Sequence, residues 1–212
     1  MKNRIKLIKG YDLIAHAYGD RYAHELDYKP FDRDLLLRFA RSVPAPEVCD
    51  LGCGSGHIGA HLQSLGLQVI GIDLSRGMVE EARRRYRQVR YEMGDMLDLK
   101  LEESSLGGIV ALYSIIHLRR EDLGKAFRGM SRVLKPGGLL LVAFHRGRGE
   151  IHEDEDLGYP VSFDCTLFEC EEVSRAMEGA GLEIVETTVR RPYKQEYQTC
   201  RVYILAEKPS RP

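Results

Sequence analysis

Residues 48–59 read VCDLGCGSGHIG. A run ending in Asp50 and Leu51 leads straight into glycines at alternate positions, Gly52, Gly54 and Gly56. Glycine accepts the left-handed backbone of a tight turn and offers a ligand bare peptide. In an open parallel sheet, ligands bind beyond the carboxyl ends of the strands, which is where a turn after a first strand falls. The turn therefore decides two things together: the fold, and whether the ligand is a pyrophosphate or something without phosphate.

A dinucleotide fingerprint has the form G-x-G-x-x-G. Gly52 and Gly54 match it, but His57 stands at the third glycine and Gly56 comes one residue early. A nicotinamide-dependent oxidoreductase is disfavoured on that ground. Asp73 follows Gly52 by 21 positions. A carboxylate there can accept both hydroxyls of a ribose, which suits any adenosine-containing cofactor. Asp50 puts a second carboxylate where a pyrophosphate would be repelled. In MGDMLDL (93–99), Gly94 opens a turn that offers Asp95 to an adenine amino group and Met96 to the ring face.

Outward from the turn, apolar runs at 48–51, 68–72, 89–92, 108–113 and 139–144 predict buried strands. Stretches of helical spacing at 56–65, 75–85 and 121–134 separate them, so a parallel sheet covered on both faces is expected. Ahead of the core, YDLIAHAYGDRYAHELDY (11–28) has helical spacing and is expected to run to the break at Pro30. A short helix over 32–42 follows. Beyond the core, 145–168 is polar and predicts a long exposed insertion, then a helix over 169–180 with Gly181 as its cap. LEIVETTVRR and RVYILAEK predict an antiparallel hairpin.

With 212 residues, the chain suits one compact domain. Its 31 Lys and Arg balance 32 Asp and Glu, so no net field attracts a polyanion. The basic run RRRYRQVR (83–90) follows Glu80 and Glu81 at the spacing of helix ion pairs, which favours a solvated helix face over a nucleic-acid patch. No apolar run approaches the roughly 20 residues that span a bilayer, and MKNRIKLIKG at the N-terminus lacks the apolar core of a secretory signal. Five cysteines without C-x-x-C spacing predict free thiols in a cytoplasmic protein. Cys53 fits as a small residue filling the turn. The acidic run EIHEDED (150–156), with His145 and His152, repeats no ligand spacing, so no metal site is expected.

Taken in order, VCDLGCGSG, VIGIDLSRGMVEEAR, YEMGDMLDL, GGIVALYSIIHL and LKPGGLLLVAF resemble the class I S-adenosylmethionine-dependent methyltransferases. The resemblance covers about residues 47–144 and implies a Rossmann-like, doubly wound seven-stranded α/β sheet, mostly parallel with a reversed C-terminal strand. It implies N-terminal lid helices (1–44), a cofactor core (45–144), an acceptor-covering insertion (145–168), and a terminal helix and hairpin (169–212). The implied cofactor is S-adenosyl-L-methionine, leaving as S-adenosyl-L-homocysteine. Gly52, Cys53, Gly54 and Gly56 would face it with Asp50 close by. Asp73 would bind the ribose, flanked by Leu74 and Met78. Gly94, Asp95 and Met96 would hold adenine, and Tyr113 would border the sulfonium. Tyr11, Tyr18 or Tyr22 would close over it.

The tail resembles a bacterial subset of these enzymes that acts on small molecules, so a small-molecule acceptor methylated on oxygen or nitrogen is expected, with no nucleic-acid or membrane partner. His117, just past the fourth strand, is the expected base or acceptor-orienting residue, with Tyr18 or Tyr113 able to orient the acceptor and His145 and His152 ranking behind. Two rivals stand: a nucleic-acid or protein methyltransferase, which the neutral charge and the missing N-P-P-Y motif oppose, and a catalytically silent cofactor-binding module.

Overall fold

The computed structural model describes residues 4–210. Residues 1–3 and 211–212, the outer ends of the expected lid and tail segments, lie outside the described residues. The chain begins with α1 (Arg4–Tyr22) and α2 (Pro30–Ser42) and then alternates: β1 (Glu47–Leu51), α3 (His57–Ser64), β2 (Gln68–Asp73), α4 (Arg76–Arg85), β3 (Arg90–Met93), β4 (Leu106–Leu112), α5 (Leu123–Val133) and β5 (Leu134–His145). After these come β6 (Glu150–Asp156), β7 (Tyr159–Thr166), α6 (Cys170–Glu178), β8 (Glu183–Arg190) and β9 (Arg201–Glu207). Seven strands form one sheet in the order β3-β2-β1-β4-β5-β9-β8. β1 to β5 run parallel, and β9 lies antiparallel to both neighbours.

The alternation of side chains along each central strand explains why these runs are apolar throughout. Ile109, Ala111, Leu140, Val142 and Phe144 pack on one face with Phe127 and Met130 of α5 and with Val173 and Met177 of α6. Val110, Leu139 and Leu141 pack on the other face with Leu36 and Phe39 of α2 and with Ile58 and Leu62 of α3. With both faces covered, no position along the strand faces water, and polar alternation disappears.

Three local expectations are corrected. The first helix ends at Tyr22, well short of Pro30, and a single 3-10 turn over Glu25–Asp27 follows. Pro30 opens α2, at the position where a missing N–H costs nothing. β5 starts at Leu134 instead of 139, because Leu134 pairs with Leu106 across a register shift. The polar insertion is a β6–β7 hairpin, not an open loop. Leu157 and Gly158 turn it with φ of 53° and 80°, as a two-residue hairpin turn requires. The acidic run obeys a period of two: Glu150, His152 and Asp154 face solvent, while Ile151 and Glu153 turn inward to the site.

Helix α1 packs on α4 and β7, across the carboxyl edge of the sheet. The basic run at 83–90 supplies part of that contact. Arg85 bridges Glu81 of its own helix and Asp20 of α1, and Arg84 also pairs with Glu81.

Candidate active site

A cavity of about 710 Å³ opens at the carboxyl ends of β1, β2 and β4. β1 and β4 are neighbours from which the strand order runs outward in opposite directions, so the cavity sits at the switch point of the sheet. Its roof is α1 together with the β6–β7 hairpin.

The floor is mostly backbone. Gly52 and Gly54 take φ of 75° and 51°, and a Cβ on Gly52 would overlap the Ser114 side chain. The N–H groups of Gly52 and Cys53 both donate to the Ile72 carbonyl, at 2.7 and 3.1 Å. Asp73 ties the turn to the start of α4: its Oδ2 accepts the Gly54 N–H and its Oδ1 the Ser75 N–H, each at 2.8 Å. Burial raises the Asp73 pKa, and these backbone donors oppose that rise. Leu74, Met78, Gly94, Asp95 and Met96 continue the wall. Asp95 accepts the Leu97 N–H through Oδ1 at 2.9 Å, and its Oδ2 meets Arg4 of α1 at 2.7 Å.

Gly56 alone among the cofactor residues named from sequence stands outside the cavity wall. It precedes α3 with φ of 90°, and a Cβ there would lie 2.7 Å from the Tyr91 ring and 2.8 Å from Ala82. Its place is a packing position beneath the turn.

The far end of the floor holds groups that sequence reasoning missed. His57, noticed there only as a missing glycine, donates Nε2–H to Glu25 Oε1 at 2.7 Å. Lys29 meets Glu25 Oε2, also at 2.7 Å. Burial would raise the Glu25 pKa, but His57 and Lys29 overcome it and hold the carboxylate down to about 2. Two buried polar atoms have no partner here, His57 Nδ1 and Asp50 Oδ2. Burial pushes Asp50 up to about 7, although His57 and the Gly59 N–H pull it down.

The roof brings aromatic side chains together. Tyr18 lies over Gly54 and against Tyr22, ring centroids 4.4 Å apart. Tyr11 stacks on Phe163 of β7 at 4.4 Å. Its hydroxyl lies 2.7 Å from His117 Nε2. His117 Nδ1 lies 3.2 Å from the Asp164 carbonyl, which can only accept, so Nδ1 carries the proton and Nε2 accepts from Tyr11. Tyr113, at φ of 54°, points its ring into the cavity, but its hydroxyl is engaged by Tyr203 at 2.8 Å. Burial raises the pKa of Tyr11, Tyr18 and Tyr113, so all three are neutral phenols. His145 is in the wall; His152 is on the solvent side, paired with Asp164 at 2.6 Å. Among the described residues, no group of three His, Cys, Asp or Glu side chains is placed to hold a metal ion.

The floor fits S-adenosyl-L-methionine. The unpartnered carboxylate oxygen of Asp50 suits its ammonium, the glycine cradle leaves room for its chain, and Asp73 and Asp95 are carboxylates in the wall that could accept from ribose and adenine. A family model described as a methyltransferase domain matches residues 48–138. The O-methyltransferase cnsE of Penicillium expansum is 28% identical over 184 residues, covering 82% of this chain and 62% of that protein. Methyltransferase GfsG of Streptomyces halstedii is 33% identical over 155 residues, covering 67% of this chain and 54% of that protein. The chain thus spans less than two thirds of the length of these curated relatives. A SAM-dependent methyltransferase from Methanosarcina mazei shares the fold with a TM-score of 0.71 at 20% identity, over 78% of this chain and 93% of that one. The seven-stranded sheet and these matches agree: residues 48–138 form a methyltransferase domain, in a fold shared with S-adenosylmethionine-dependent methyltransferases. No helix among the described residues is long and apolar enough to cross a membrane.

Proposed function

We propose that this protein methylates an oxygen of a small-molecule acceptor held between the cofactor floor and the α1–hairpin roof. The observation that supports this reading is the His117–Tyr11 pair, with His117 Nε2 lying 2.7 Å from the Tyr11 hydroxyl under the aromatic roof of the cavity. A neutral ring that donates Nδ1–H to the Asp164 carbonyl has Nε2 as its acceptor. Oxygen is favoured over nitrogen because curated relatives carry the name O-methyltransferase. A small molecule, and not nucleic acid, fits an enclosed cavity whose mouth mixes acidic and basic side chains. The unpaired cysteines fit a cytoplasmic location.

When bound, the cofactor supplies an electrophilic methyl carbon on a sulfonium; everything else falls to the chain. Gly52, Gly54 and Asp73 hold the cofactor, and Asp95 and Met96 orient its base. Tyr18 and Tyr22 exclude water above the cradle, which strengthens each polar contact inside. An acceptor hydroxyl that replaces Tyr11 at His117 Nε2 gives its proton to the imidazole as the oxygen becomes nucleophilic. The Asp164 carbonyl keeps Nδ1–H in place and steadies the imidazolium that results. Tyr11 then serves as the group that fills the acceptor's hydrogen-bonding place when no acceptor is present.

Calorimetry followed by a labelled-methyl assay tests the proposal. S-adenosyl-L-homocysteine should bind and NAD should not, and a panel of phenols and hydroxy acids should yield a methylated product. Binding without turnover across the panel would leave a silent cofactor-binding module as the better account.

A further inference from the structure

Beyond His57 and His117 the cavity holds a third imidazole, and its protonation pattern is the reverse of His117's. His145 ends β5 and pairs in register with Arg201 of β9. Arg201 Nη1 lies 2.9 Å from His145 Nδ1, and the Thr199 hydroxyl lies 2.7 Å from the same atom. A guanidinium only donates, so Nδ1 is the accepting nitrogen and the proton of the neutral ring sits on Nε2. Arg201 cannot turn away to release that constraint. It is 3% exposed, its Nη1 also donates to Thr199, and its Nε lies 3.8 Å from Glu196.

The Nε2–H has no hydrogen-bonding partner in the protein among the described residues, while the ring lines the cavity 5.3 Å from Tyr113. Tyr197 closes the outer side, with ring centroids 6.1 Å apart. Lys29 and Arg201 flank the same Tyr113 ring, at 5.5 and 5.6 Å, and Glu196 lies 3.5 and 3.8 Å from the two. The charged and titratable groups acting on His145 are Arg201, Glu196, Lys29 and His117. Burial first, and Arg201 second, push its pKa down to about 3. Protonation would put a third positive charge beside Arg201 and Lys29.

We propose that His145 is an acceptor-positioning residue, a fixed hydrogen-bond donor whose Nε2–H receives a second oxygen of the acceptor. The acceptor class follows from the pair of histidines. His117 takes a proton from one oxygen, and His145 gives a hydrogen bond to another that has a lone pair or a negative charge. A hydroxy acid or hydroxy-carbonyl compound satisfies both. An amine does not: protonated, it has no lone pair to offer Nε2–H. This inference rests on the methyltransferase reading of the same cavity and adds the chemistry of the substrate.

The test uses the whole protein saturated with S-adenosyl-L-homocysteine, with salicylate and benzylamine as probes. Long-range nitrogen–proton spectra of 15N-histidine-labelled protein should show His145 protonated on Nε2 alone from pH 5 to 9, against the usual histidine pKa of about 6.5. Salicylate should bind, shift that nitrogen and outcompete benzylamine. His145→Leu should weaken salicylate at least about tenfold, the cost of one hydrogen bond to a charged group. His145→Gln, whose amide can donate from a similar place, should recover most of the loss. Homocysteine-cofactor affinity should be equal in all three proteins, which separates this outcome from a failure of the methyltransferase reading, where the wild type would not bind the cofactor at all. A proton on Nδ1, a preference for benzylamine, or unchanged salicylate affinity in a folded His145→Leu would each overturn the proposal. If His145→Leu does not fold, the wild-type tautomer and its response to salicylate decide.

Discussion

The floor of the cavity is built mainly from backbone groups and three carboxylates, Asp50, Asp73 and Asp95, of one stretch, 50–96, whereas the acceptor half is built from side chains as far apart as Tyr11 and Arg201. The floor needs glycine where a Cβ would collide, and the polar atoms that shape it are peptide N–H groups. The acceptor half has no such steric demand. Its properties come from which ring nitrogen holds a proton, and that is set by partners on other elements. A site made of backbone leaves a motif in the sequence, and a site made of side-chain partnerships leaves scattered residues.

That contrast can be broken by substitution. His117→Asn should lower kcat by about 10²–10⁴-fold, the usual worth of a positioned base. Cofactor affinity should be unchanged, because His117 pairs with Tyr11 and the Asp164 carbonyl on the roof side. A pH profile that no longer falls on the acid side would accompany the loss. Steady-state kinetics with any acceptor found by screening settles it; a rate within a few-fold of wild type returns catalysis to alignment alone.

Asp73→Ala strikes the floor instead. It removes the acceptor of two backbone N–H groups as well as any ribose contact. Cofactor affinity should drop by about 2–4 kcal/mol, on the scale of charge-assisted hydrogen bonds. Calorimetry that finds wild-type affinity would show that the ribose is held elsewhere.

Asp50 gives the floor a pH signature that the acceptor half lacks. Its folded pKa of about 7 lies above the roughly 3.9 of an unfolded aspartate. Between those values the folded protein holds a proton that the unfolded chain has lost, so the cofactor-free protein should lose stability as pH rises through the window. Asp50→Asn should flatten that slope in denaturant titrations. A cofactor ammonium beside Asp50 would favour the carboxylate, so cofactor binding near pH 6 should release a fraction of a proton. Calorimetry in buffers of different ionisation enthalpy reads that fraction directly. A pH-independent stability and no proton release would mean that Asp50 is ionised throughout.

The smallest effect is expected at the roof. Arg4→Ala removes an ion pair that is partly open to solvent, worth at most about 1 kcal/mol. Stability should barely move, while hydrogen exchange over residues 11–30 should quicken and should slow again on adding S-adenosyl-L-homocysteine. Unchanged, strong protection with and without it would make α1 a fixed part of the fold.

How far the sequence was legible follows the same divide. Strands buried on both faces read as unbroken apolar runs, so β1 to β5 and their order of use were plain. The antiparallel β8–β9 pair was visible in two β-rich runs. The β6–β7 hairpin was not, because its carboxylates mask the alternation and Leu157 occupies a left-handed position normally marked by Asn, Asp or Gly. Gly56 was read as a cradle residue since spacing cannot tell a glycine under a ligand from one under Tyr91. Glu25, Lys29 and Glu196 left no signal: each is an ordinary charge until the fold buries it beside a counter-ion. His145 was visible as a histidine, but its tautomer depends on Arg201, 56 residues away.

One feature of the roof sets the order of events in a turnover. Helix α1 is a single 19-residue element, about 28 Å long at 1.5 Å per residue. Near its start Arg4 reaches Asp95. One to two turns on, Tyr11 reaches His117, and Asp12 accepts from the Ser75 hydroxyl and the Gly77 N–H. Near its end Asp20 meets Arg85. A stiff rod pinned at both ends and the middle covers the glycine cradle and the acceptor side together. Were α1 to move as one body, the movement that admits an acceptor would also uncover the adenine edge, and product and spent cofactor would leave by the same opening. Such an enzyme keeps time by its helix, and a viscous solvent should slow it more than a better leaving group speeds it.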